Sequence, residues 1–524
     1  MTSNQNTSTK VIRNTFFGTA GYLWGLVISL LLTPFIVSRI GVAGYGLFIL
    51  IESIFGLFSL LDIAGISGAF VKFIAEAHAK RDHERINRLV VLGVSYYSAF
   101  SLIVCCLACI FHEPILKLFR IPVADQAVAD FVFYGILFSS FLQGSLGVFR
   151  SVLLGMQRLD ITNIISMLIG LANGIAIAVV LVLGYGLPGL IVVSVAIAFV
   201  AQVAQIGFAF HVLPSLKRMR PFLDRELFHE TFKYGMQIQV GKISEIVTAR
   251  INKFLIGRFL TIDLVGFYEL GSKIAAVAQS PASQLMGAIV PAASELEAQG
   301  GREPVLKLYY RTSKYAALIA IPMTAFVCAF PAAILMFWMG KGTFGMSALA
   351  LQVLAAGTLL ATIAAAGRLV ARGMGFPSYE MQSCILTTVL NVIFSTVLLI
   401  RYGFVGALLG TALSSTIGAF YFLYFYHKKI REGLFAILFV RYFGPPTLAS
   451  LAAVGVTLAA ANSLHEVAAS RSDAALTLGI TGAIFIAVYS SVLFAVRYID
   501  RVDIETGRRI VTLVRNMFPG RKTA

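Results

Sequence analysis

Apolar runs of about 20 residues recur from Phe16 almost to Arg497, and no other feature of this chain restricts its fold so severely. A hydrocarbon core of roughly 30 Å takes about 20 helical residues to cross. In that medium every backbone amide must be satisfied internally, which leaves helices or a closed barrel. The runs are continuous and lack the alternation of a barrel strand. The expected fold class is therefore all-α: a polytopic membrane protein with about fourteen transmembrane helices. With 58% of 524 residues hydrophobic and 13% charged, the chain has too little polar surface for a soluble globule.

The five cysteines, Cys105, Cys106, Cys109, Cys328 and Cys384, all fall inside apolar runs, where they behave as small hydrophobes. No Cys/His spacing suits a metal, and no cofactor is expected. The polar start, "MTSNQNTSTKVIRN", precedes a full-length apolar run without a small-residue cleavage site, so it reads as the lead into a first span.

A net charge of +17 could point to nucleic acid, and the placement of the basic residues excludes that reading. With the N-terminus inside, about 31 of the 42 Lys and Arg fall in cytoplasmic segments and about seven outside, as the positive-inside rule favours. Both termini are then cytoplasmic. Two readings stand for the basic tail, which carries Arg508, Arg509 and Arg515: a solvated segment that sets topology, or a strip lying on anionic lipid.

The chain also repeats itself. "RSVLLGMQR", from Arg150, returns as "RLVARGMGF", from Arg368, 218 residues later; "FIVSRI" returns as "FLIGRF" with Arg39 and Arg258 separated by 219; "YGLPG" returns as "YGFVG" after 217. Three matches at one interval imply two six-helix lobes of like orientation, related by a pseudo-twofold axis along the membrane normal. The expected organisation is an N-terminal lobe over 1–212, a cytoplasmic linker over 213–232, a C-terminal lobe over 233–430, two extra helices within 431–497 and a basic tail over 498–524.

Charge inside the spans costs about 2.5 to 3.5 kcal/mol per residue, so it should collect where water or ligand reaches it. It collects in three spans. The second holds Glu52 and Asp62, the seventh Lys242, Glu245, Arg250 and Lys253, and the eighth Glu269 and Lys273. The four charges of the seventh span fall within an arc of roughly 140°, one helix face. A polar cavity walled by these spans accounts for them, with Lys242, Arg250, Lys253 and Lys273 as candidate ligand-binding residues and Glu52, Asp62, Glu245 and Glu269 as coupling or charge-balancing acids. A rival account has the charges pairing with one another, since they sum to zero and Glu269 and Lys273 have the order of a helical ion pair. For Arg150 and Arg368 the alternatives are inner corners of the two lobes or side chains that snorkel to headgroups.

"TPFIVSRIGVAGYGLF", "LLDIAGISGAFVKFIAEAHAKRDHERINRLV" and "INKFLIGRFLTIDLVGFYELGSKIA" resemble the polysaccharide transporters, lipid-linked oligosaccharide flippases of the multidrug/oligosaccharidyl-lipid/polysaccharide exporter superfamily. The resemblance implies a cavity lined by helices 1, 2, 7 and 8 and alternating access that carries a polyprenyl-diphosphate-linked oligosaccharide to the outer leaflet of a bacterial inner membrane. Polysaccharide polymerase and export machinery would be its partners. The first span carries no charge, so its lining would come from groups such as Thr15, Thr19 and Ser29. A cation-coupled drug exporter and a peptidoglycan-precursor flippase are the alternatives within transport. From another class comes a membrane polymerase, which the absence of any Asp-x-Asp pair and of a large outer loop disfavours, and the chain reads as a transporter, not an enzyme. "MGKGTF" and "VGKISE" lack the spacing of a phosphate-cradling loop.

Overall fold

The computed structural model describes residues 2–58, 66–119, 121, 125–218, 225–284, 286, 289–298, 302–340, 344–430, 438–463, 470–500, 503 and 505; within helices, some side chains, among them those of 2–20, 233–242 and 245, lie outside the description. Every regular element among these residues is a helix. In chain order they are α1 (Thr2–Phe58), α2 (Ile66–Ala79), α3 (His83–Ile110), α4 (His112–Leu118), α5 (Gln126–Leu146), α6 (Val148–Gly155), α7 (Leu159–Val182) and α8 (Gly186–Val212). Then follow α9 (Arg225–Phe259), α10 (Ile262–Gln284), α11 (Ile289–Ala298), α12 (Arg302–Ala329), α13 (Pro331–Met339), α14 (Gly345–Gly373), α15 (Pro377–Ile430), α16 (Gly444–Ser463) and α17 (Arg471–Ala495).

Ten helices among the described residues are long and apolar enough to cross a membrane. Two of them are interrupted. α1 breaks at Gly41 (φ 73°, ψ 170°) and α15 at Gly403 (φ 60°, ψ −136°), both in the left-handed half of backbone space that a Cβ disfavours. A straight helix of the 54 residues of α15 would run about 80 Å, more than twice the hydrocarbon thickness, so the break is a physical need. α9 and α10, 35 and 23 residues long, carry charges within their length and are not among the ten. The exposed apolar residues follow membrane logic: Leu168, Leu171, Ile175, Val179 and Val182 form one open stripe along α7, the face a bilayer would cover.

Packing divides the chain into two compact units, one of Met1–Val277, Phe344–Thr358 and Pro377–Ala419, the other of Ala278–Thr343, Leu359–Phe376 and Phe420–Ala524. In the first, Phe70, Phe73 and Ile74 of α2 pack with Ile86, Leu89 and Val90 of α3 and Val148, Val152 and Leu153 of α6.

The sequence echo at Arg150 and Arg368 has a structural counterpart in each unit. α6 ends with bonds from the Gln157 amide to the Leu154 carbonyl and from the Arg158 amide to the Leu153 carbonyl, at 2.9 Å each; α14 ends with Gly375 to Arg372 at 3.1 Å and Phe376 to Ala371 at 2.8 Å. The residues with positive φ are Gln157 (56°) and Gly375 (77°), so they terminate the helices. Gly155 and Gly373 are contact points. A Cβ on Gly155 would stand 2.7 Å from Cγ2 of Ile74 and 3.1 Å from the Val71 carbonyl oxygen; one on Gly373 would stand 2.6 Å from Cβ of Ala293 and 2.9 Å from the Val290 carbonyl oxygen. Val71 and Val290 are themselves 219 apart. Gly155→Leu and Gly373→Leu should each lower the thermal midpoint, at a cost of about 1–3 kcal/mol or more for overpacking. Unchanged melting of either variant in detergent would contradict these contacts. The arginines differ. Arg150 is exposed, whereas Arg368 folds back to donate from Nη2 to the Ala361 carbonyl at 2.8 Å.

In the second unit the segment after α17 is clasped to α12. Lys314, 9% exposed, reaches Asp503 at 2.5 Å and Asp500 at 3.4 Å, and its ammonium stands 4.9 Å from the centre of the Tyr498 ring. The Tyr315 hydroxyl donates to Asp503 at 2.8 Å. Burial pushes the Asp503 carboxyl up, but bonds from Lys314, the Asp500 backbone and Tyr315 outweigh it and hold the group below the usual carboxylate range. The unfolded chain thus takes up its proton at higher pH than the folded one. The stability this clasp contributes is complete above the ordinary aspartate value and lost as pH falls through the depressed one. Asp503→Asn should remove part of the acid dependence of the thermal midpoint between about pH 5 and 3; an unchanged pH profile would rule the clasp out as its source.

Candidate functional site

The site is built where the second limb of α1, α9 and α10 meet in the first unit. Two glycines allow that approach. A Cβ on Gly46 would stand 2.3 Å from the Ile262 carbonyl oxygen, and one on Gly266 would stand 2.7 Å from the Val42 carbonyl oxygen. Each missing side chain therefore lies over the carbonyl four residues before the other glycine, a locally twofold helix crossing.

Two turns along α1, Glu52 meets Arg250 of α9, with Oε1 to Nη1 at 3.3 Å and side chains 42% and 28% exposed. Gly56 makes room for the guanidinium, since a Cβ there would stand 2.8 Å from Nε. Glu52, Gly56 and Arg250 line a cavity of about 330 Å³ with Ser139, Ser140 and Gln143 of α5 and Ser194 of α8. Arg250 thus keeps part of its fork open to a chamber that sets three serine hydroxyls and one amide among apolar side chains.

One turn further along α9 the environment closes. Lys253 reaches Glu269 of α10 at 2.6 Å, and these side chains are 11% and 16% exposed. Lys273, whose spacing suggests pairing with Glu269, donates instead to Thr33 of α1 at 2.7 Å, and the Thr33 hydroxyl donates in turn to the Ser29 carbonyl at 2.7 Å. Lys273 and Ser29 line a second cavity of about 370 Å³ with Gly21, Tyr22, Gly25 and Leu26. Another side of α9 faces α15: fully buried Asn252 donates to Asn391 at 3.4 Å, and Asn391 to Ser414 at 3.2 Å. Thr33, Asn252, Asn391 and Gln143 were not singled out by sequence. A lone amide or hydroxyl in an apolar run is common, and nothing in the chain marks a partner 139 positions away.

Asp62 lies outside the described residues, as do the side chains of Lys242, Glu245, Thr15 and Thr19. The structure brings Glu52, Arg250, Lys253 and Glu269 together as two ion pairs and sets Lys273 apart on a hydroxyl. No group of three or more potential metal ligands occurs among the described residues.

Fixed charges inside apolar helices, with polar chambers beside them, are what a transporter of polar cargo requires, and the fold has solved counterparts. It matches the lipid II flippase MurJ in an inward closed conformation with a TM-score of 0.70 at 14% identity, over 92% of this chain and 99% of that one. It matches an inward-facing multidrug resistance MATE family transporter of the MOP superfamily with a TM-score of 0.67 at 16% identity, over 77% and 94%. At such identities the likeness is one of fold. The chain belongs to the family described as polysaccharide biosynthesis protein, which it matches over residues 11–297, more than half its length. A curated relative from Haloferax volcanii, named "Probable low-salt glycan biosynthesis flippase Agl15", is 22% identical over 395 residues, 75% of this chain and 78% of that one.

Proposed function

We propose that this protein carries a polyprenyl-diphosphate-linked oligosaccharide from the cytoplasmic to the outer leaflet by alternating access. The observation that carries the reading is Arg250, a guanidinium partly open to a hydroxyl-lined chamber within a helix bundle. Arginine donates paired, charge-assisted hydrogen bonds to phosphate oxygens, and the serines and Gln143 suit sugar hydroxyls. Lys273, held by a neutral hydroxyl beside a separate cavity, is a further cation of the same path. Lys253 and Glu269 serve as a positioning pair, and Lys242, Glu245 and Asp62 as further charges of the same path. The relative from Haloferax volcanii supports the cargo class by its name.

If each glycine-interrupted helix makes two crossings and α9 and α10 cross as well, the chain makes the fourteen crossings expected from sequence, with both ends cytoplasmic and Arg150 and Arg368 at the inner corners of two like-oriented lobes. A reporter fused after Lys233 should read cytoplasm and one after Lys341 the outside; the reverse at either point breaks this topology. The function is tested in proteoliposomes with a fluorescent polyprenyl-diphosphate disaccharide, with and without an ion gradient. Translocation above protein-free vesicles is expected, and equal rates for the two would end the proposal. A cationic dye transported in its place would favour the drug-exporter alternative.

A further inference from the structure

A second chamber opens beside the Arg250 cavity. It measures about 380 Å³, inside the roughly 300–1,000 Å³ range of small-molecule sites. Phe55, Ser140 and Gln143 line both chambers, so the two adjoin across those residues. The chemistry changes from one to the other. The first holds an arginine and a glutamate; the second holds no side chain charged at neutral pH. Its walls are the rings of Phe55, Tyr97, Phe100 and Phe141, with hydroxyls at Ser101 and Ser151.

This lining decides between two occupants. A prenyl chain packs on aromatic and aliphatic walls alike and has no use for the hydroxyls of Ser101, Ser140 and Ser151 or the amide of Gln143. Aromatic faces with interspersed hydroxyl and amide groups fit a pyranose, whose C–H face packs on a ring while its rim hydroxyls exchange hydrogen bonds. In the cargo proposed above, the first sugar is one bridging oxygen away from the diphosphate. A diphosphate on Arg250 therefore puts that sugar at the shared wall.

Resting on that reading of the cargo, we infer that the chamber between α3 and α5 is the subsite for the first sugar, and that it selects an uncharged hexose or N-acetylhexosamine. A uronic acid would bury its carboxylate there without a counter-charge, and an apolar lining penalises the charged form. Gln143, lining both chambers, is the positioning residue between phosphate and sugar.

The test uses the full chain in lipid nanodiscs and three probes: farnesyl diphosphate, the same lipid bearing N-acetylglucosamine, and the same lipid bearing glucuronic acid. Wild type should bind the N-acetylglucosamine probe about tenfold more tightly than the glucuronic acid probe. Phe141→Leu, which removes one ring, and Val104→Trp, which fills the chamber, should each weaken the N-acetylglucosamine probe about tenfold and leave farnesyl diphosphate within about twofold. Thermal midpoints show that each variant is folded, and either one suffices. Equal weakening of both probes would give the chamber to the prenyl chain and overturn the inference, as would no weakening of either. Arg250→Ala should weaken all three probes. Wild type that binds farnesyl diphosphate no better than farnesol would instead overturn the proposed cargo itself.

Discussion

Arg250→Ala is expected to reach the membrane at near-normal abundance and to translocate lipid-linked oligosaccharide about 100-fold more slowly. A charge-assisted hydrogen bond is worth about 1.5–3 kcal/mol, and in the proposed complex the guanidinium would supply one or two to the diphosphate. Folding should suffer little, because the Glu52 carboxylate left behind is 42% exposed and can be hydrated. The decisive comparison is the double variant Glu52→Gln with Arg250→Gln. It restores neutrality and a hydrogen-bonding pair, so if Arg250 only balances Glu52, transport returns. If Arg250 meets the cargo, transport stays lost. Recovery in that double variant would remove Arg250 from the site.

Lys253→Ala should fail differently. Its partner Glu269 is 16% exposed and 2.6 Å away, so the substitution takes the nearest counter-charge from a carboxylate that water hardly reaches and leaves it only the more distant Lys273 and Arg250. Breaking a buried pair from one side costs about 3–5 kcal/mol, a large share of a protein's stability. We expect a marked fall in folded protein and thermal midpoint, well beyond that of Arg250→Ala. Lys253→Met combined with Glu269→Leu should recover most of it, since apolar replacement of both partners is often neutral. A Lys253→Ala protein that melts normally yet does not transport would place Lys253 in the cargo path and end its assignment as a positioning residue.

Much of the fold is legible in the sequence. The all-helical membrane class followed from run length and the bilayer's demand on backbone amides. Concentration of charge in the segments of α1, α9 and α10 points to the candidate site, because intramembrane charge is too costly to be scattered. Pairing was not readable. Glu269 and Lys273 have the order of an i, i+4 pair, yet such a pair contributes only a few tenths of a kcal/mol, and the packing of α9 and α10 offers Glu269 a closer ammonium in Lys253. The echo "RSVLLGMQR" and "RLVARGMGF" drew the eye to arginine, while the features reproduced in space are the cap and the glycine contact. A glycine that ends a helix and one that lets helices touch look alike in sequence.

The crossing at Gly46 and Gly266 ties the inheritance of the two positions together. Both Cβ positions are blocked by the same close approach of α1 and α10. A methyl group on either glycine must pry the two backbones apart, and once they are apart the second methyl enters a gap already made. The two costs should therefore not add, as is usual for residues that share one contact. A lineage that has lost one glycine is released from keeping the other, so the pair should be kept whole or abandoned whole across descendants of this chain.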